Sequence, residues 1–416
     1  MKKTLLLSVV ASTMIMAGGS IAPVEPVVET PAPVAAEASG WDFGGQAVVY
    51  YQTVDKAGTL DLFEQDSARA NAGVQLRAVN KDIFAGIGAG LEVNGLATLG
   101  LHEDVVAGVM QSAGTSDARG GWVSQAYLTY GIGNTNIKFG RQELPKSLSP
   151  FAFSEGWNVF KNTFDALLVV NSDIPDTTLV GAVVSKANSN GVATDMSNFR
   201  SVNPDGTTGD DQFIYMLTAQ NKSVEGLTLT GTGYYAPELA GTNEDDLTIL
   251  WADAAYKLGD YSVGVQGGTI MCDALSDDAL AFGAKVGANF GMFGASVAFS
   301  STDENAAFVN IGGPKTPLYT QMILNQGVIK TDADYVKVGA TAKVLGGKFI
   351  VNYGYAIANN DDIAGGADNN PAELDVIYKT KVFNDSTTLL AAYVMIDPDT
   401  AADNTNIIRV WGRYNF

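Results

Sequence analysis

The chain has 416 residues, of which 45 are acidic and 25 are Lys or Arg, so its formal net charge is −20. An excess of negative charge of this size repels phosphate backbones, which excludes nucleic acid as an expected partner. A single histidine and a single cysteine leave little material for acid–base catalysis, metal ligation or disulfide bonds. Beyond the N-terminal segment, the apolar runs are too short to span a bilayer as helices, so a membrane location would require strands.

The N-terminal residues have the three parts of a secretory signal peptide. Lys2 and Lys3 are followed by an apolar run over residues 5–16 and then by small residues that end at Ala22. We therefore predict a signal peptide over residues 1–22, because the run of about 12 residues is shorter than the roughly 20 that a membrane helix needs. The Pro-rich segment 23–40 is predicted to be a periplasmic tether, and residues 41–416 a single structural unit.

Most of the remaining chain consists of segments of about 10 residues in which every second side chain is apolar. In one such segment, apolar residues alternate with small or polar ones: Leu280, Phe282, Ala284 and Val286 against Gly283, Lys285 and Gly287. A period of two is typical of strands whose two faces meet different surroundings. We count about 18 such segments, or 16 if two weak ones are miscounted.

The connections between these segments differ in length in a regular way. Short turns such as Gly259-Asp260 alternate with long polar stretches such as residues 96–120 and 302–334. Soluble sandwiches also have alternating strands, but nothing in a sandwich sorts its connections by length onto one end. The pattern therefore predicts an all-β fold, a transmembrane antiparallel β-barrel with short periplasmic turns and long extracellular loops.

The last residues of the chain form the sharpest local pattern. Tyr414 and Phe416 end an alternating segment whose other face has Arg409 and Arg413. This ending resembles the signal that the bacterial barrel-assembly machinery reads, so we expect that machinery to be a partner during folding. The two arginines are then predicted to face the lumen.

Residues 144–163 follow the fifth predicted strand and show little alternation. The surrounding sequence reads GRQE at 140–143, FSEGWNVFKNTFD at 153–165 and DIPDTTLVG at 173–181, with KTKVF at 379–383. These stretches resemble the Campylobacter-type major outer-membrane porins of the epsilonproteobacteria, which are related to the OprD-like porin superfamily. The resemblance implies an 18-stranded barrel, a homotrimer and a third external loop, near 144–163, that folds into the lumen.

Charged residues cluster around this predicted constriction. Five lie on or beside the third loop: Arg141, Glu143, Glu155, Lys161 and Asp165. Five basic residues are predicted to line the pore wall: Arg77, Lys138, Lys337, Arg409 and Arg413. Strict alternation would turn Arg141 toward lipid, which costs about 2–4 kcal/mol near the midplane, so we expect it to turn inward.

Opposed charges at a constriction would orient polar solutes and set ion preference. Salt bridges that pin the loop to the wall are an equally good interpretation of the same residues. A basic wall favours anions, whereas acidic loops such as Ser276-Asp277-Asp278 concentrate cations at the mouth.

On balance we predict an outer-membrane porin, a passive diffusion channel for small hydrophilic solutes and ions with a weak cation preference. The alternative is a barrel adhesin or structural protein with little conductance.

No enzymatic activity is expected, because His102 lies in a predicted loop beside Glu103 and Asp104, without an evident serine nucleophile motif. No cofactor is expected beyond Ca²⁺ or Mg²⁺ held loosely by the acidic loops. The other expected partners are outer-membrane lipids and lipopolysaccharide.

Overall fold

The computed structural model describes residues 40–56, 58–114, 119–204, 212–239, 245–313, 315–324, 332–358, 370–399 and 404–416. The predicted signal peptide and nearly all of the predicted tether lie outside these described residues. Helical structure in the described part amounts to Leu101–Asp104 and a single 3-10 turn at Gln65–Ser67. Within those same ranges, no helix has the length and apolar character needed to cross a membrane.

Eighteen strands form one antiparallel ring. In chain order they are β1 Asp42–Lys56, β2 Ala68–Phe84, β3 Ile87–Ala97, β4 Arg119–Ile132, β5 Thr135–Gln142, β6 Phe164–Asn171, β7 Thr177–Ala187, β8 Ile214–Asn221, β9 Leu227–Ala236, β10 Leu247–Leu258, β11 Tyr261–Cys272, β12 Ala279–Phe290, β13 Phe293–Thr302, β14 Ala333–Val344, β15 Gly347–Ala358, β16 Ala372–Val382, β17 Thr387–Asp397 and β18 Thr405–Asn415. Val49 of β1 lies opposite both Ala72 of β2 and Gly412 of β18, which closes the barrel. The predicted 18-stranded all-β barrel is therefore confirmed, and the alternative count of 16 is wrong.

The two faces of the wall differ as the alternation predicts. Outward side chains are apolar and exposed, as at Val49, Phe139 and Leu250, whereas inward ones such as Gln52 and Asp375 are polar and buried. A closed ring of strands pairs every backbone donor and acceptor within the wall, which is the condition for crossing hydrocarbon. Large exposed aromatic side chains lie near the strand ends on both rims, as two aromatic girdles would require: Tyr130, Tyr256 and Tyr261 near the short turns, and Tyr215 and Tyr235 near the long loops.

Connections of two kinds define the two ends of the barrel. Eight short turns join β2 to β3, β4 to β5 and so on to β17, while nine longer loops, L1 to L9 in chain order, join the strands at the other end. The first turn lies at Ala85-Gly86, where both residues have positive φ. A register shift between Asn80 and Phe84 accommodates the polar residues 80–82 within β2.

Candidate functional site: a lumen narrowed by two loops

L3, residues 143–163, crosses the lumen from one wall to the other. On β18, Arg409 Nη1 donates to the carbonyl oxygen of Trp157 at 3.2 Å, and Arg413 Nη2 donates to that of Asn158 at 2.6 Å. On the far side, the Thr218 hydroxyl of β8 donates to the carbonyl oxygen of Leu148 at 2.8 Å. Because β8 and β18 lie nearly opposite in the ring, L3 divides the interior of the barrel.

Arg409 fixes the middle of L3 although it is 1 % exposed. Its Nε and Nη2 both donate to Gln52 Oε1 of β1, at 2.9 and 2.5 Å. The guanidinium also lies 4.7 Å from the ring centroid of Trp157 and 5.2 Å from that of Tyr50. Amide oxygens and aromatic faces thus compensate the buried charge, and Arg409 is sealed beneath L3 and kept from the open lumen.

Two phenylalanines of L3 pack against the inner wall. Phe151 contacts Trp251 of β10 edge to face, with ring centroids 5.4 Å apart. Phe160 lies so close to Gly73 of β2 that a Cβ at Gly73 would come within 2.7 Å of its ring. The absence of a side chain at Gly73 is therefore what lets L3 approach the wall here.

L7, between β13 and β14, also enters the barrel over residues 303–313 and 315–324. Lys337 Nζ of β14 donates to the carbonyl oxygen of Gln321 at 2.8 Å, and the Leu324 amide donates to Glu373 Oε1 of β16 at 2.9 Å. Asn310 Oδ1 accepts the Phe153 amide at 2.9 Å, which joins L7 to L3. This second inward loop was not predicted from the sequence.

One signal for L7 was present in its composition. Within the described part of the loop, four large apolar side chains are buried: Phe308, Leu318, Met322 and Ile323. A solvated external loop has no reason to contain such a group, because burying large apolar side chains is what drives a segment into a packed environment. The apolar residues of L7 therefore indicated packing inside the barrel.

Most charged side chains of the predicted constriction are paired with other groups or buried. Glu143 and Lys161 form an ion pair of 2.6 Å at the two ends of L3. Glu155 is 7 % exposed where L3 meets L7, and a Cβ at Gly313 of L7 would clash with its Oε1. Burial raises the pKa of Glu155 to about 7, against the opposing effect of the nearby Lys315 and Lys146 ammonium groups. The interpretation of loop-fixing salt bridges therefore suits the Glu143–Lys161 pair.

Arg141 lies on the outer face of the wall, contrary to the inward position expected from the sequence. It shares that face with the exposed Phe139 and is bonded bidentately to Asp165 of β6, at 2.7 and 3.0 Å. The ring of Phe199 from L4, residues 188–213, covers its guanidinium at 3.3 Å. Arg141 is one residue from the end of β5, where the cost of an outward charge falls to about 0–1 kcal/mol, so nothing forces it inward.

The open part of the inner wall near the short turns is basic. Lys343 of β14 lies directly opposite Lys348 of β15, which in turn lies opposite Lys379 of β16. The other predicted wall residues Arg77 and Lys138 also face inward in this half, in register with the inward Gly44 and Leu168. We call Lys343, Lys348 and Lys379 the lysine row.

The predicted assembly signal lies at the seam of the barrel. The amide of Gly45 donates to the carbonyl oxygen of Phe416 at 2.9 Å, and the Phe416 amide donates back to Gly45 at 3.1 Å. The side chains of Tyr414 and Phe416 are both about half exposed on the outside, with ring centroids 6.0 Å apart. The terminal residue therefore pairs with β1 and completes closure.

Comparisons with known proteins agree with this architecture. No protein-family model matches the chain, and no curated protein sequence matches it. Solved structures do: Pseudomonas aeruginosa OccK9 (OpdG) superposes with a TM-score of 0.71 at 14% identity, covering 90% of this chain and 97% of that one. Acinetobacter baumannii OccAB3 gives 0.70 at 13%, covering 90% and 99%. Pseudomonas aeruginosa OpdK with vanillate gives 0.70 at 14%, covering 90% and 98%.

These likenesses show the fold alone: the chain shares the closed β-barrel of these Pseudomonas aeruginosa and Acinetobacter baumannii structures. The chain is an 18-stranded barrel of that type, with two loops folded into its lumen. At identities of 13–14%, the likeness shows the fold, and the function rests on the site.

Proposed function

We propose that this protein is an outer-membrane porin, a passive diffusion channel for small hydrophilic solutes and ions. One observation carries the proposal. A closed barrel with an apolar outer surface encloses a charged lumen that L3 and L7 narrow, which is the construction of a filter across a bilayer. The alternative of an adhesin or structural barrel predicts little or no conductance.

For ion preference we propose a weak selectivity for cations. The formal net charge of −20 is concentrated away from the inner wall, and exposed carboxylates such as Asp277 and Asp278 lie at the loop end. Such charges raise the cation concentration at the mouth by an amount that salt screening reduces. We expect the preference to be clear at about 0.1 M salt and to weaken toward 1 M, where the screening length falls to roughly 3 Å.

A second candidate is a pore for small carboxylate-bearing solutes. The lysine row favours it, because three ammonium groups in adjacent register attract an anion at the turn end of the lumen. The OpdK structure with vanillate, an aromatic carboxylate, concerns a barrel of the same fold. This candidate predicts the opposite sign of selectivity.

Single-channel recording in a salt gradient tests both. The wild-type reversal potential should show a small cation preference, and the triple variant Lys343→Gln/Lys348→Gln/Lys379→Gln should be more cation-selective. An anion preference that the triple variant abolishes would establish the second candidate instead. If correctly folded protein forms no channel, both the cation-preferring porin and the carboxylate pore are excluded, and the adhesin is favoured.

Membership of the Campylobacter-type porins and assembly as a homotrimer are part of the same proposal. Small residues give β18 and β1–β3 an outer face that a neighbouring subunit can approach closely: Ala47, Ala72, Gly95, Ala97 and Gly412. In a Cys272→Ser background, Ala72→Cys should cross-link subunits, whereas Leu250→Cys on β10 should not.

We also propose that the barrel-assembly machinery, lipopolysaccharide and loosely held Ca²⁺ or Mg²⁺ are partners of this protein.

A further inference from the structure

Each of the eight short turns has a large apolar side chain that is more than half exposed. Three of them end a strand with the side chain on the outer face: Phe84, Ile132 and Leu258. They continue the outward rows that contain Tyr130 and Tyr256, so the apolar outer surface extends without a break onto the turns. Lipid covers that surface higher up the wall if the barrel spans a membrane.

The other five turns place their apolar residue within the connection itself: Ile174, Val224, Met292, Leu345 and Phe383. Two of these connections have the same local construction. Asn171 Oδ1 accepts the Asp173 amide, and Asn221 Oδ1 accepts the Ser223 amide, which leaves Ile174 and Val224 at the exposed tip. The polar cap fixes the backbone, and the apolar side chain points away from the barrel.

Leu345 and Phe383 are the most exposed of the set, at 91% and 78%. Both also have positive φ, 51° and 53°, where glycine or asparagine avoids a steric cost of about 1–2 kcal/mol. Neither side chain packs into the barrel, so the stability of the barrel does not explain the choice. Two unfavourable features at one residue indicate a contact made outside the chain.

The arrangement of the turns indicates the kind of contact. They occur at every second strand junction, so their apolar residues surround the whole end of the barrel. A protein partner would cover one sector, whereas a lipid leaflet surrounds the barrel completely. We propose that these eight residues, the turn ring, insert into the periplasmic leaflet of the outer membrane and anchor that end of the barrel at the boundary between headgroups and acyl chains.

The neighbouring polar residues fit that depth. Glu225 follows Val224 and Asp260 follows Gly259 beyond Leu258, so these two turns combine an apolar side chain with a charged one. At the headgroup boundary the apolar group gains burial while the carboxylate stays hydrated. The inference rests on the proposed membrane location of the barrel.

Fluorescence quenching in vesicles tests the turn ring. In a Cys272→Ser background, Leu345→Cys and Val224→Cys are labelled with a polarity-sensitive fluorophore, with Glu225→Cys as the matched control in the same turn. Leu250→Cys on the outer face of β10 reports insertion of the barrel. The quenchers are phospholipids with a nitroxide near the headgroup and iodide present on both sides of the membrane.

Labels at 345 and 224 should be quenched at least twofold more by the nitroxide lipids than the label at 225, and should be shielded from iodide. If the labels at residues 224, 225 and 345 are quenched equally by the nitroxide lipids, and iodide quenches all three, the proposed insertion of the turn ring into the leaflet is wrong. In that case a label at 250 that is still shielded leaves the proposed channel intact. A label at 250 that is open to iodide would instead overturn the membrane location itself.

Discussion

Lys161 Nζ lies 2.6 Å from Glu143 Oε2, so L3 is closed on itself where it leaves β5 and returns to β6. The pair defines a base from which the middle of the loop extends to Arg409 on β18. A loop tethered at its base and at its far side has little freedom to leave the lumen. We therefore expect the constriction to be a stable part of the barrel.

Replacing Arg409 with methionine should loosen the middle of L3. The substitution leaves Gln52 Oε1 and the Trp157 carbonyl oxygen without their buried donors, at a cost of about 1–3 kcal/mol. The free energy of unfolding should fall by that amount, and single-channel current should become larger and noisier. Arg413→Met, which removes the hydrogen bond to the neighbouring Asn158 carbonyl oxygen, is the comparison and should have the smaller effect because Arg413 is less buried than Arg409. Equal current traces for wild type and Arg409→Met would contradict the assigned role.

Glu155→Gln should change how stability depends on pH. A carboxyl with its pKa raised to about 7 binds a proton more tightly in the folded than in the unfolded chain, so wild-type stability falls as pH rises from about 4.5 to about 7. The amide has no such penalty, so the variant should be more stable than wild type at pH 8, by up to about 3 kcal/mol. Chemical unfolding at pH 4.5 and pH 8 measures this, and the two proteins should differ little at pH 4.5. A variant that is less stable than wild type at pH 8 would show that Lys315 and Lys146 outweigh burial.

Gly73→Leu should push L3 away from β2. Its side chain would enter the space of the Phe160 ring, and overpacking of this kind costs about 1–3 kcal/mol. The double variant Gly73→Leu/Phe160→Ala should recover part of the lost stability, as measured by thermal unfolding. Gly231→Ala on β9, where no atom lies within 4 Å of the new Cβ, is the matched control and should be close to neutral. Failure of the second substitution to rescue would show that Gly73 is needed for another reason.

Arg141→Gln should leave ion selectivity unchanged. The guanidinium is on the outer face and its charge is balanced by Asp165, so it does not act on ions in the lumen. Stability should fall by no more than about 1 kcal/mol, since both side chains are about one-quarter exposed. Reversal potentials provide the measurement, with the lysine-row variant as the positive control. A shift from Arg141→Gln as large as that of the control would place Arg141 in the pore and support the hypothesis that opposed charges at the constriction set ion preference.

The strands were predictable because their information is local. Alternation such as Val336-Lys337-Val338 determines which side chain faces water, and no distant contact is needed to interpret it. The path of L7, by contrast, could not be predicted from local sequence. It depends on contacts such as Lys337 with Gln321, which no periodicity in a loop encodes.

The position of Arg141 shows a second limit. Alternation alone predicted that Arg141 faces outward, which is correct. The inward position was predicted instead because the energetic cost of an outward charge was taken at the midplane of the bilayer. Depth in the bilayer follows from where β5 ends and from the cover supplied by Phe199 of L4, neither of which a single strand reveals. The tilt and length of neighbouring strands decide such cases.

The contact between Arg409 and Trp157 also has a consequence for biogenesis. Arg409 lies in β18, so the middle of L3 acquires this anchor only after the seam between β1 and β18 has formed. Before that step the ring of Trp157 lacks the Arg409 guanidinium that covers it, so the middle of L3 should be open to proteases. Resistance of L3 to proteolytic cleavage therefore reports that the barrel has closed. A barrel that has not closed should be distinguished by cleavage within L3.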